Sequence, residues 1–454
     1  MQSIKRRRRG LLAVILLMGI VGCFGSTSTG ALEALPEDSA IALPSDLGKL
    51  HFYLITVDVG NHVWDNFGHT ALRMVDENNN TDTVFNWGLF DTSGGVVRFS
   101  FNFFKGIMNY RLGTFRPETE MNNYRQQERT VWQERINLNN SQKALLYRRL
   151  MWNLQPENIV YPYQYFFDNC TTRVRDYLNE AMGGKISNMT NQMTPNTFRG
   201  LVLHHYQSLA VIAISLDIMM NSRVDRTVSQ WEEMFLPSSL RVRLMNLPSD
   251  VASESDRLML LSDTEILMEF SPPAAQLNPY YLAGAILLAP VIFLYLMLRR
   301  IPMSYFATHS RIGFRIPRFS FRLLGVIGML TAFASGIYGV LMLGGWFVSG
   351  HEDLYHNWNL LLFWPTDLLG LAIAGRWLIQ ARPWQMTHNT APFINYYLLA
   401  KALTMLIYLA VAGLGLTMQS MVSLFAFLLP GLFLLTVLVW IAGFELARPR
   451  HMFF

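Results

Sequence analysis

The order of apolar and polar positions divides the chain into two unlike parts. Between residues 51 and 277, short alternating or β-branched runs at 51–57, 70–75 and 83–89 predict strands, and helical periodicity follows at 141–152 and 171–181. Strands giving way to helices predict an α+β domain with a small sheet. The stretch 195–247 reads as interrupted helix, with Pro237 marking a stop. Past Pro279 the pattern changes to five apolar runs of about 20 residues, at 280–298, 323–348, 360–379, 397–418 and 421–444. Each is long enough for a bilayer core of about 30 Å, so an all-α polytopic membrane domain is expected there.

Charge placement supplies an orientation. The loop between the first two runs holds Arg299, Arg300, Arg311, Arg315, Arg318 and Arg322 and no acid, which puts it in the cytoplasm by the positive-inside rule. Arg382, Arg448 and Arg450 fall on the same side, and the segment 349–359 faces outward. At the N-terminus, Lys5 and four arginines precede an apolar run that ends at Gly22 and Cys23. This is an export signal peptide or N-terminal anchor over 1–25, with Cys23 either at a lipidation site or an ordinary apolar residue. Residues 26–49 have linker composition. The expected organisation is therefore an extracytoplasmic domain with a helical extension at 50–278 and a membrane domain of five helices at 279–454. Its place is the cytoplasmic (inner) membrane, multi-pass, with the first domain on the periplasmic side.

Composition agrees. Of 454 residues, 51% are hydrophobic and 15% charged, against about 25% charged in ordinary soluble proteins. The net charge of +5 is accounted for by topology, so nucleic acid is excluded as a partner. Two cysteines, Cys23 and Cys170, can make neither a disulfide framework nor a cysteine zinc site. The 50–278 domain has no spaced His and carboxylate cluster, so neither metal nor cofactor is expected.

Candidate chemistry centres on Cys170, which follows the polar pair Asp168 and Asn169 at the head of an amphipathic run. A thiol in the first turn of a helix feels the positive end of the dipole, which favours the thiolate; the plain alternative is a small buried residue. A thiol nucleophile needs a base held by a third polar group. His69 follows Gly68 at a strand start, Asn86 lies on the next strand, and His62 is a weaker alternative base. A hydrogen-bonded core histidine is the plain reading of His69. Arg73 and Arg173 lie within a few residues of the pair and would bind an ester or phosphate oxygen or make salt bridges. In the outward segment His351, Asn357 and Asn359 are substrate contacts or interfacial caps. Asp367, inside the third run, is a functional candidate or a contact between helices.

Several motifs together carry a resemblance. They are Asp-Asn-Phe-Gly-His-Thr-Ala-Leu-Arg at 65–73, Phe-Asn-Trp-Gly-Leu-Phe-Asp at 85–91, Phe-Phe-Lys-Gly at 103–106, Phe-Asp-Asn-Cys-Thr-Thr-Arg at 167–173 and Met-Phe-Leu-Pro at 234–237. In this order they resemble the bacterial lipoprotein intramolecular transacylase family Lnb. More broadly they are similar to the circularly permuted papain-like group that includes the lecithin:retinol acyltransferases and permuted cell-wall amidases. The resemblance implies a circularly permuted papain-like α+β fold ahead of the membrane domain. It also implies a reaction, in which an acyl chain moves from the diacylglyceryl group of a lipoprotein to its N-terminal amine. Cys170 would be the nucleophile, His69 the base and Asn86 the orienting residue, with first-turn N–H groups as the oxyanion site. Asn169, Arg73 and Arg173 would lie at the substrate. The segment 351–361 resembles the family's His and Asn-x-Asn-Leu-Leu pattern, but has Glu352 where Pro is expected. Bacterial lipoproteins, membrane lipid acyl chains and the membrane would be the partners. Two rivals are a cysteine amidase or peptidase acting on cell-wall peptides and a non-enzymatic lipoprotein-binding module.

Overall fold

A computed structural model describes residues 41–90, 95–251, 258–300, 315–380 and 392–445. The export segment with Cys23, most of the linker, and Arg311, Arg382, Arg448 and Arg450 lie outside the described residues.

The centre of the N-terminal part is an antiparallel sheet. Strand β1 (Leu50–Val57) is rich in apolar and β-branched residues and lies between β2 (His69–Asp76) and β5 (Val131–Ile136). Having neighbours on both edges, its last four residues are all buried. β3 (Thr81–Phe90), β4 (Asn109–Phe115), β6 (Val160–Pro162) and β9 (Leu261–Met268) complete seven strands in the order β6-β4-β3-β2-β1-β5-β9. The small sheet expected from three runs is thus larger. The extra strands are short or edge strands without clean alternation, as in β9, whose middle four residues are exposed. A separate ribbon pairs β7 (Met193–Thr197) with β8 (Thr227–Ser229), overlapping the stretch read as helical.

Helices α1 (Gly95–Lys105), α2 (Pro117–Gln126), α3 (Asn140–Asn153) and α4 (Cys170–Ala181) are interleaved with the strands. They are followed by α5 (Lys185–Met189), α6 (Phe198–His205), α7 (Ala210–Met219), α8 (Gln230–Glu233) and α9 (Pro237–Met245). Pro237 does not stop a helix; it opens α9 at the first position, where its missing N–H costs nothing. The whole is a mixed α/β domain.

A helical region follows, with α10 (Pro279–Arg300), α11 (Arg315–Val348), α12 (Gly370–Gln380), α13 (Pro392–Gly413) and α14 (Leu429–Glu445) at the five apolar runs. Among the described residues, two helical stretches, Arg322–Val348 and Phe393–Gly413, are long and apolar enough to cross a membrane. The third run is not one unbroken helix: Glu352–Leu361 and Pro365–Gln380 meet at a bend of 55°, and only together do they qualify. The break has a local cause, because Asp367 accepts the Trp364 N–H at 3.0 Å and caps a new turn behind Pro365. That gives two or three candidate spans where five were expected. Asp367 also meets Lys401 Nζ at 2.5 Å, the Tyr397 hydroxyl at 2.6 Å and Ser335, which makes it a contact between helices.

The two parts share polar contacts at the end of α7. Asn357 Nδ2 donates to the carbonyls of Ile218, Met219 and Met220, and Asn359 Nδ2 donates to that of Ile218 at 2.9 Å. Arg199 donates to the carbonyls of Asp217, Met220 and Asn221 and pairs with the carboxylates of Asp217 and Asp225 at 2.6 Å each. From the membrane side, Tyr280 donates to Asp217 at 2.5 Å and the Ser420 N–H to Asp225 at 3.0 Å.

Inside the domain, Asn153 fastens α3 to its neighbours. Its Oδ1 accepts from Trp87 Nε1 of β3 at 2.8 Å and from the Tyr177 hydroxyl of α4 at 2.7 Å, with all three residues fully buried. Asn153→Ala leaves both donors without a partner and is expected to destabilise the protein by about 3 kcal/mol. A melting curve of the detergent-solubilised variant checks this.

Candidate active site

Cys170 is the first residue of α4, and its neighbours explain why the helix begins there. Asn169 Oδ1 accepts from the N–H groups of Thr171 and Thr172 at 2.8 Å each, while Thr172 Oγ1 accepts from the Asn169 N–H at 2.7 Å. This reciprocal cap satisfies donors that a helix start otherwise leaves open. Asn169 Nδ2 is also occupied, by the carbonyls of Tyr165 at 2.9 Å and Phe235 at 3.1 Å. Asn169 therefore holds Cys170 in place through the cap. The cap also narrows the expected oxyanion site: Arg173 N–H goes to Asn169 O at 3.0 Å, so of the first-turn donors the N–H of Cys170 is left.

His69 opens β2 after a turn that requires glycine. Gly68 has φ +79°, and a Cβ there would lie 2.6 Å from the Val57 carbonyl and 3.4 Å from Pro237 Cγ. The turn sets the imidazole against Asn86 on β3, with Nε2 3.0 Å from Asn86 Oδ1. The orientation of that amide follows from the backbone. The Gly88 N–H can only donate, and it meets Asn86 Oδ1 at 2.8 Å. The atom facing His69 is therefore oxygen, Nε2 carries the proton, and Nδ1 is the ring nitrogen left to exchange a proton with the thiol. Gly88 is bare for a reason, since a Cβ on it would lie 2.9 Å from His69 Cε1.

Cys170 and His69 shift each other's protonation. Burial pushes the thiol up, but the charge and hydrogen bond of His69, the Thr70 N–H and the Thr171 hydroxyl outweigh it and bring it to about 7. Burial pushes His69 down, and the Cys170 charge and hydrogen bond outweigh that and raise it. Such a thiolate–imidazolium pair can attack a carbonyl carbon and pass on a proton. Tyrosines crowd the pair. Tyr110 and Tyr163 stack at 4.3 Å, and Tyr163 meets Tyr165 at 5.9 Å. Burial and the Cys170 charge push Tyr110, Tyr161 and Tyr163 far above the ordinary phenol range, so they stay neutral.

The remaining sequence candidates lie elsewhere or have other partners. Arg73 is paired with Asp82 at 2.6 Å and donates to Gln133 at 2.8 Å. Arg173 pairs with Asp168 at 2.5 Å and lies over the Tyr161 ring. Asn357 and Asn359 are 3% and 0% exposed and cap α7, as described above. Asp367 joins helices. His351 reaches α1: its Nε2 meets the Phe103 carbonyl at 2.7 Å, and Phe103 packs edge-on to Tyr165. His62 stacks on Trp64. Sequence reasoning missed Glu120, Tyr124 and Arg129. Glu120 accepts from Asn86 Nδ2 at 3.3 Å, and Tyr124 lies 6.4 Å from the His69 ring. All three belong to a stretch of α2 and its exit whose polar composition reads as a solvated face.

The family model of the Lnb N-terminal periplasmic domain matches residues 40–203. The matched stretch contains His69, Asn86 and Cys170. No curated protein and no solved structure matches the chain.

Two measurements test the geometry. Only the thiolate alkylates, so iodoacetamide labelling of the Cys170 peptide, read by mass spectrometry, is expected to rise with pH about a midpoint near 7. His69→Ala leaves only the Thr70 N–H and the Thr171 hydroxyl against burial and is expected to move that midpoint above the free-thiol value of about 8.5. Gly88→Ala forces the His69 ring aside and is expected to slow labelling at pH 7 at least about tenfold, with little change in melting temperature.

Proposed function

We propose that this chain is a membrane-anchored thiol acyltransferase that N-acylates bacterial lipoproteins. The observation that carries the reading is the arrangement of Cys170, His69 and Asn86, with the thiol brought down to about 7 and the base held in one tautomer. The match of residues 40–203 to the Lnb domain, and the candidate membrane helices that follow it, support a lipid-linked substrate. The order of elements, with the His69 strand before the Cys170 helix, supports a circularly permuted papain-like fold.

On this reading the Cys170 thiolate attacks the carbonyl carbon of an acyl ester, and the Cys170 N–H stabilises the oxyanion. The ester C–O bond breaks, His69 gives its proton to the departing alkoxide, and the acyl chain is left as a thioester. The amine of the lipoprotein's N-terminal cysteine then attacks the thioester, His69 takes the proton, and the thiol leaves with the acyl chain now in an amide. The domain lies on the outer side of the cytoplasmic membrane, which the chain crosses several times. The lipoprotein's own diacylglyceryl group is the proposed donor.

Incubating the detergent-solubilised protein with a diacylated lipopeptide, followed by tandem mass spectrometry, tests this. An unchanged mass with fragment ions carrying an N-acyl cysteine is expected with wild type, and no such ions with Cys170→Ala. A mass gain of one acyl chain when phospholipid is added identifies phospholipid as donor and overturns the intramolecular route. A lipopeptide returned unaltered by wild type under both conditions overturns acyl transfer to lipoproteins.

A further inference from the structure

Asn86 has to present its oxygen to His69 and keep its NH2 away, yet the two ends of an amide are nearly equal in shape. If the group turned over, Nε2 would face a donor, and the ring would have to hold its proton on Nδ1, toward the thiol. One contact that opposes this is the Gly88 N–H on the oxygen. The other comes from across the domain, where Glu120 Oε2 accepts from Asn86 Nδ2 at 3.3 Å. Glu120 lies in the first turn of α2 and is 3% exposed. Among the described residues its carboxylate is in no ion pair, which is a costly way to bury an acid. The groups around it and His69 are Tyr124 on α2, Arg129 ahead of β5 and Cys170 on α4. Arg129 is turned to Asp65 and to the Asp58 carbonyl.

We propose that Glu120 is a positioning residue: by holding the NH2 of Asn86 it directs the amide oxygen to His69, and so sets the tautomer that serves Cys170. This rests on the reading of Cys170 and His69 as nucleophile and base. Glu120 touches no reacting atom and acts through Asn86.

The test is the pH profile of Cys170 alkylation in the full-length protein in detergent, with each labelled peptide resolved by mass spectrometry and melting temperatures recorded alongside. Glu120→Ala, which removes the acceptor that a glutamine amide would keep, is expected to raise the midpoint and to cut the labelling rate at pH 7 about threefold to tenfold. In an Asn86→Ala background the same substitution is expected to add nothing. Glu120→Asp keeps the charge but withdraws it by one methylene, so it too is expected to raise the midpoint, and it serves if Glu120→Ala fails to fold. A lower melting temperature with an unmoved midpoint overturns the proposal by making Glu120 structural only. A shift of equal size without Asn86, or a wild-type midpoint in Glu120→Asp, overturns it in favour of charge acting through space. A separate control guards the premise: if His69→Ala leaves the wild-type midpoint in place, the thiol–imidazole reading itself fails, whatever Glu120 does.

Discussion

A helix that ends inside a protein must find donors for its last carbonyls, and the end of α7 is where this chain meets that demand. Carbonyls at 217–221 are met by Arg199 from the mixed α/β domain and by Asn357 and Asn359 from the broken segment before α12. Leaving a single one of them dry and unpaired costs about 1–3 kcal/mol. Arg199 is itself neutralised by Asp217 and Asp225, and both acids take further donors from the membrane side. The domain and the helices thereby share one polar core. A second seam lies beside it, where the Gly350 N–H donates to the Lys105 carbonyl and a Cβ on Gly106 would come within 3.2 Å of Gly350 Cα. The tyrosines around Cys170 are reached from this seam through Phe103 and Tyr165.

With the frame tied in this way, the site needs little more than local geometry. The Asn169 cap sets where α4 begins, and Asn153 sets where α4 lies against β3. The Met-Phe-Leu-Pro stretch serves both halves of the pair, through the Phe235 carbonyl on Asn169 and the Pro237 ring beside Gly68. Motifs far apart in the sequence are thus parts of one small piece of structure.

What was legible in the sequence follows this division between local and distant. The strands β1, β2 and β3 and the start of α4 are written in alternation, in a glycine and in a cap, all within a few residues of the feature they make. Cys170, His69 and Asn86 sit on such features, and the fold brings them together. Glu120 had no local sign, because a buried acid on the polar helix α2 looks the same as a solvated one until β3 is laid against it. Asn357 and Asn359 read equally as substrate contacts or as caps because their partner, the end of α7, lies about 140 residues earlier in the chain. Pro237 misled for the opposite reason, since proline both ends and opens helices and the choice depends on what packs there. The third apolar run concealed its break, because hydropathy averages over Pro365 and Asp367.

The mutual charge of Cys170 and His69 has a consequence for the order of proton transfers. His69 is protonated more readily than its burial alone would permit chiefly because a thiolate faces it. Once Cys170 carries an acyl group that negative charge is gone, and burial, the largest influence on the ring, favours neutral imidazole. On the proposed reaction, forming the thioester would therefore drive the proton off His69 toward the departing alcohol and leave the ring empty for the incoming ammonium group. The resting enzyme would hold an acid and the acylated enzyme a base, reset by the acyl chain itself.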